Sequence, residues 1–390
     1  MKSIRFTPRR LLSAFTALTA PLLFCAAAHA ADPIRIGSVL SITGPASFIG
    51  DPEAKTMKMY VDQINAAGGV IGRPIELVTY DDAGDANKAR TFAARLTERD
   101  NIAVLVGGST TGTTMAMIPV MESAQIPFMS LAGSVNIIEP VRKYVFKSPH
   151  TDRMGCERVF SDMKKRQISK IALIAGTDGF GTSMREQCLK VVDRYGIQIL
   201  IDQTYGAGDT DMTTQLTKIK GTPGVQAIFN TGASGQGPAV LTRNYGQLDM
   251  KAIPMYQNPG VASKSYIELS GPAAEGVRLP ASALLVASKL PASDPQKPVV
   301  MAYTATFEKS AGQPVSTFGG GAWDGLTMVL NAIKKANSAD PQKIRDALEQ
   351  TKGFVGTAGL VNMSAQDHLG LTVDAFRMLE VKNGDWLLVD

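Results

Sequence analysis

From Ile34 onward, short continuous apolar runs alternate with segments whose apolar residues recur at helical spacing. IRIGSVLS (34–41), IELVTYDD (75–82), IAVLVGG (102–108) and IPFMSLA (126–132) are apolar without strict alternation, the pattern of strands buried on both faces of a parallel sheet. Between them 53–65, with Ala54, Met57, Val61 and Ile64 on one face, 86–99 and 113–124 read as helices. A second series follows: KIALIAG (170–176), IQILIDQTY (197–205), VQAIFNTG (225–232) and AIPMYQN (252–258), with helices near 152–166, 182–195, 211–220 and 236–246. Two such repetitions predict an α/β chain of two doubly wound parallel-sheet lobes with right-handed crossovers. The remainder reads as helices at 298–311, 322–336 and 341–351 and strands at 375–382 and 385–390. LPASDPQKP (290–298) reads as a surface loop.

With 390 residues, 44% of them apolar and 19% charged, the chain has material for two cores and the composition of a soluble globule. Its beginning is different. MKSIRFTPRR carries four cations, an apolar run follows, and Ala28-His29-Ala30 is a small-x-small cleavage signal, so residues 1–30 read as a secretory signal peptide cleaved after Ala30. Thr16, Thr19 and Pro21 interrupt the apolar run, which argues against a membrane span, and Phe24 sits where a small residue should precede a lipidated Cys25. Removing Lys2, Arg5, Arg9 and Arg10 lowers the formal charge from +5 to +1, so the basic balance gives no ground for nucleic-acid binding. After cleavage Cys156 and Cys188 remain, either as a pair or as two thiols. His150 and His368 stand far apart outside any metal-ligand spacing, and neither a metal nor a cofactor is expected.

Function is expected where strands end, because in open α/β sheets ligands bind outside the carboxyl ends of the strands. LVGGSTTGTT (105–114) runs from a strand through two glycines into five hydroxyl side chains, where the next helix begins. One threonine there can serve as a helix cap, and the others can offer hydroxyl and N–H groups to an anion. SLAGS (130–134) and LSITGPASFIG (40–50) repeat the theme at two other strand ends, the latter adding Phe48 and Ile49 as an apolar wall. A carboxylate suits such a surface of donors. Nucleotide binding does not fit: GASGQGP (232–238) has Pro238 where a phosphate loop needs lysine. Nor does hydrolysis, since Ser234 lacks the last glycine of a nucleophile elbow.

DQINAAGGVIGRPIELVTYDDAGDANKA (62–89) closely resembles the signature of periplasmic solute-binding proteins of the leucine/isoleucine/valine-binding type. The likeness continues through VFKSPHTD, DGFGTS (178–183), PAAEGVRL (272–279), GAWDGL (321–326) and NGDW near the end. The resemblance implies a type I periplasmic binding protein, not an enzyme: a monomer in the periplasm whose two lobes, joined by three hinge crossings, close on a small ligand for the permease subunits of an ABC importer. It places the crossings near 150, 280 and 357, with 31–150 plus 281–357 in lobe 1 and 151–280 plus 358–390 in lobe 2.

The resemblance assigns the ligand's carboxylate to Thr111, Ala132 and Ser134 and its apolar part to Phe180 and Trp323, and the strand ends add Gly112 to the first set and Phe48 and Ile49 to the second. Asp152, Gln257 and Asn258 read the far end. Amino-acid binders of the family hold the ammonium with two acids of the second lobe. The first falls on Asp152, but the second falls within QNPG (257–260), which has no carboxylate. That absence favours an aromatic acid over a branched-chain amino acid, since a buried ammonium needs compensation. The rival reading, with the same lobes, is a ligand-sensing module that reports to a regulator or receptor.

Overall fold

A computed structural model of the chain describes residues 32–389 apart from Ala207 and Ser234, together with Met1, Ser3, Ile4 and Thr7. The expected cleavage signal lies outside the described residues. In the first lobe β1 (Ile34–Leu40), α1 (Ser47–Ala66), β2 (Ile75–Asp81), α2 (Ala86–Glu98), β3 (Val104–Gly107), α3 (Thr111–Ala124), β4 (Phe128–Ser130) and β5 (Val145–Lys147) follow one another. The sheet has the order β2-β1-β3-β4-β5 and is parallel throughout. Strands β3, β4 and β5 are buried at every position, Ser130 and Lys147 included.

The second lobe comprises α4 (Asp152–Lys165), β6 (Lys170–Gly176), α5 (Gly179–Val191), β7 (Gln198–Tyr205), α6 (Thr213–Lys220), β8 (Ala227–Asn230), α7 (Gly237–Gln247), β9 (Met255–Tyr256), α8 (Lys264–Ser270) and β10 (Arg278–Ala281). After it come α9 (Lys297–Ala311), α10 (Thr317–Ala336), α11 (Pro341–Glu349), a small hairpin of β11 (Phe354–Val355) and β12 (Leu360–Val361), and a last hairpin of β13 (Arg377–Lys382) and β14 (Asp385–Leu388). The second sheet is ordered β14-β13-β10-β9-β8-β6-β7, and its part from β7 to β10 repeats the first sheet's arrangement. The closing hairpin extends it antiparallel to β10. Cys156 on α4 and Cys188 on α5 form a disulfide, which settles the alternative the sequence left open.

The chain leaves the first sheet after β5 and leaves the second after β10. From there the turn 283–289 and α9 pack with β10, β13 and β14, while Tyr303 of α9 also reaches Thr56 of α1 at 2.7 Å. Helices α10 and α11 join the first core through Leu326, Val329, Ile344 and Leu348. The third crossing, expected near 357, falls at Phe376–Arg377. The segment before it stays on the first lobe because Met363, Leu369, Leu371 and Phe376 are buried in that core, and the His368 ring stacks on Phe146 at 4.1 Å. His368 also accepts from the Lys147 N–H at 3.1 Å through its carbonyl.

Candidate functional site: the cleft between the strand ends

In each sheet the strand order turns back beside its first strand, between β1 and β3 and between β6 and β8. At such a switch point the outgoing helices lie on opposite faces and leave a crevice at the carboxyl ends. A cavity of about 550 Å³ opens there, bordered by both lobes.

The first-lobe wall is built around the turn from β3 into α3. Gly108 makes that turn with φ +74, and a Cβ on it would lie 2.2 Å from Thr114 Oγ1, so only glycine serves. Thr110 caps α3, accepting from the Thr113 N–H at 3.2 Å in a capping box. The cap is therefore one residue before Thr111, which leaves Thr111 Oγ1 buried, at the cavity, without a partner. Helical geometry also leaves the first-turn N–H groups of Thr111 and Gly112 unused by the helix. Beside them Ser109 Oγ accepts from the Ser41 N–H at 3.0 Å and lies 2.5 Å from Glu53 Oε2. Phe48 and Ile49 reach the cavity from the first turn of α1, which begins at Ser47, ahead of the expected residue 53. Phe318 meets Phe48 edge-on with ring centres 5.8 Å apart.

The second-lobe wall is more acidic. Asp178 caps α5, accepting from the N–H groups of Phe180 at 2.9 Å and Gly181 at 3.1 Å, so this helix terminus already carries its anion. Phe180 lies against Gly133 of the first lobe, where a Cβ would come within 2.6 Å of its ring. Wholly buried Asp152 accepts from the Val135 N–H at 2.9 Å, the Arg153 N–H at 2.8 Å and the Ser183 hydroxyl. Burial raises its carboxyl above the ordinary range against the pull of those donors. His150 stacks on Phe376 at 3.8 Å, and burial, with Lys147 nearby, lowers its pKa to about 3, so the ring is neutral. Asp85, Asp152 and Asp178 border the cavity, and among its described lining residues none is lysine or arginine.

Six of the residues expected at the site border the cavity together: Phe48, Ile49, Thr111, Gly112, Asp152 and Phe180. The other five stand off its lining. Ala132 is buried behind it, with Gly133 taking the exposed place, and Ser134 Oγ is spent on Ser183 Oγ at 2.6 Å and the Asn136 N–H at 3.1 Å. Gln257 turns inward to Asn230 at 2.6 Å and Thr242 at 3.1 Å. Asn258 donates to the Gly232 carbonyl at 2.7 Å and accepts from the Gly260 N–H at 2.8 Å. Trp323 packs between Tyr60 and Tyr303, with ring centres 5.9 and 6.2 Å away. Ser109, Asp178, Phe318 and Phe376 border the cavity without having been singled out. Ser109 and Asp178 carried a signal, being polar residues just before helices, whereas the two phenylalanines arrive from distant segments.

A family model described as periplasmic binding protein matches residues 33–385. The chain belongs to the periplasmic binding protein family. Its members bind solutes and are not enzymes, and the resemblance read from residues 62–89 is borne out. The chain is 27% identical over 328 residues to the leucine-, isoleucine-, valine-, threonine- and alanine-binding protein of Pseudomonas aeruginosa, covering 83% of this chain and 84% of that one. It is 26% identical over 359 residues to Leu/Ile/Val-binding protein homolog 3 of Brucella melitensis, covering 91% and 93%. Among solved structures, an extracellular ligand-binding receptor from Rhodopseudomonas palustris HaA2 superposes with a TM-score of 0.83 at 25% identity, over 92% of this chain and 99% of that one. The branched-chain amino acid transporter substrate-binding protein LivJ of Streptococcus pneumoniae, in complex with isoleucine, gives 0.79 at 23% identity over 92% and 99%, a likeness of fold alone. Both show the two-lobed α/β architecture expected from the strand pattern.

Proposed function

We propose that this chain is the soluble periplasmic solute-binding component of an ABC importer and that it takes an apolar α-amino acid of the branched-chain type. The observation that carries this reading is the sidedness of the cleft. The first-lobe wall offers the orphaned Thr111 hydroxyl and the start of α3 under a neutral cap, its one bordering carboxylate, Asp85, being engaged by the N–H groups of Asn87 and Lys88, while the second-lobe wall bears Asp152 and Asp178. A zwitterion fits between them, carboxylate toward Thr111 and Gly112, ammonium toward Asp152, with Phe48, Ile49 and Phe180 around its side chain. A bare anion fits less well, since three carboxylates border the space and, among its described lining residues, no lysine or arginine does. The names of the two relatives agree, one being a leucine-, isoleucine-, valine-, threonine- and alanine-binding protein and the other a Leu/Ile/Val-binding protein homolog. A second reading, an aromatic acid, is favoured by one feature: Phe48, Phe180, Phe318 and Phe376 all border the cavity.

A thermal-shift panel on the protein freed of co-purified ligand separates the two, using leucine, isoleucine, valine, benzoate, 4-hydroxybenzoate and coumarate. A ligand at about 100 times its Kd adds about 2.7 kcal/mol and raises the midpoint by several degrees. Leucine, isoleucine or valine is expected to shift it, and Asp152→Asn to abolish that shift. A response confined to the aromatic acids would replace the first reading with the second.

A further inference from the structure

Ser109 borders the cleft and is 4% exposed. A serine hydroxyl has one hydrogen and two lone pairs. One lone pair takes the Ser41 N–H, at 3.0 Å, and the remaining short contact, 2.5 Å, is to Glu53 Oε2. Which way that contact runs decides what the cleft receives. An ionised Glu53 must take the serine's hydrogen, leaving a lone pair toward the cleft and a negative charge behind a wall meant for a carboxylate. A neutral Glu53 with its hydrogen on Oε2 donates to Ser109, fills both lone pairs and turns the hydroxyl hydrogen outward.

The surroundings of Glu53 favour the neutral acid. The side chain is wholly buried on α1, and Oε1 has no hydrogen-bond partner. Asp82, following β2 and also buried, faces it as a like charge, with its own Oδ2 unpartnered. From the ends of β1 and β3 come the hydroxyls of Ser41 and Ser109, the former donating to Asp82 at 2.7 Å. On its own helix, Asp51 and Lys55 pair with each other at 2.7 Å on the exposed side. α10 packs across α1 with Gly319, facing the Pro52 carbonyl and Thr56. Burial accordingly raises the Glu53 carboxyl well above the ordinary range, with Asp82 adding to the shift and Ser109 opposing it.

We propose that Glu53 is a positioning residue of this cleft: as a neutral acid it donates to Ser109 and makes that hydroxyl a further donor, beside Thr111 and Gly112, to the ligand's carboxylate. The inference rests on the carboxylate-binding reading given above. It is tested on the purified protein by infrared spectroscopy and by calorimetric titration with leucine, or with benzoate if leucine does not bind. Near neutral pH a protonated-carboxyl band from Glu53 is expected, read as the component lost in the wild-type minus Glu53→Gln difference spectrum, because Asp324 and other buried carboxyls absorb in both. Because the amide of Glu53→Gln can still donate to Ser109, that variant is expected to keep affinity within about twofold, whereas Ser109→Ala and Glu53→Leu each lose about tenfold or more. Should Glu53→Leu fail to fold, Ser109→Ala and Glu53→Gln still decide the matter. The proposal is overturned if Glu53 contributes no protonated band, if Glu53→Gln binds as poorly as Ser109→Ala, or if Ser109→Ala binds like the wild type. Binding that survives Ser109→Ala sinks this inference alone, whereas a protein that binds no member of the panel sinks the carboxylate reading and this inference together.

Discussion

Asp324 shows how much one buried side chain can hold. It sits wholly buried on α10 and accepts from the Thr357 N–H at 2.7 Å, the Thr357 hydroxyl at 3.1 Å and the Ala358 N–H at 2.8 Å. Gly356 leaves room for this grip, since a Cβ there would lie 2.7 Å from the Asp324 carboxyl carbon. Burial pushes the Asp324 carboxyl up to about 7 despite its three donors. Asp324→Ala strands two buried N–H groups and is expected to cost about 3 kcal/mol, seen as a lower midpoint in differential scanning calorimetry; an unchanged midpoint would refute the role. The motif GAWDGL is visible in the sequence, and the family resemblance assigns its tryptophan, Trp323, to the site. Successive residues of a helix point about 100° apart, so Trp323 faces the aromatic layer of Tyr60 and Tyr303 while Asp324 faces the segment at 357.

At the scale of elements, the passage from β5 into α4 carries an unusual cation. Lys147 ends β5, is wholly buried, and donates to the carbonyls of Pro149 at 2.6 Å and His150 at 2.7 Å. Burial lowers its pKa to about 7, with Asp152 pulling the other way. Between that value and the ordinary 10.5 the unfolded chain holds a proton that the folded chain does not. Stability from this group is therefore fully present above the upper value and is lost as the pH falls toward the lower. Comparing wild type with Lys147→Met in chemical denaturation isolates the group from His150, Asp324 and Glu53, which titrate in both. The wild type is expected to gain up to about 4 kcal/mol on the variant as the pH rises from about 7 to about 10. Parallel curves would show that Lys147 keeps its ordinary pKa. Of these elements, the long buried strands and amphipathic helices were legible from apolar spacing. β5 and β10, with three and four residues, were not, because such short runs carry no periodicity. The early starts of α1, α3 and α5 were missed because their first turns are set by caps and glycines and carry no apolar stripe.

At the scale of the whole molecule, the ligand space is bounded by both lobes, so a ligand that touches both favours the arrangement in which they approach. Small-angle scattering is expected to show a smaller radius of gyration with leucine than without it, and Phe180→Ala, which removes a second-lobe contact, to reduce that change. Equal radii with and without a bound ligand would refute closure. The sequence by itself determined the two-lobed α/β architecture, since burial on both sheet faces demands continuous apolar runs and crossovers must return on one hand. It also determined the hydroxyl-rich turn after β3, because local chemistry suffices to start a helix there. Only the tertiary structure decided that Cys156 meets Cys188, that Ser134, Gln257 and Asn258 spend their polar groups inside the protein, and that 358–376 stays on the first lobe. Each of these depends on which distant groups compete for a given hydrogen bond or buried surface, and spacing along the chain carries no record of that competition.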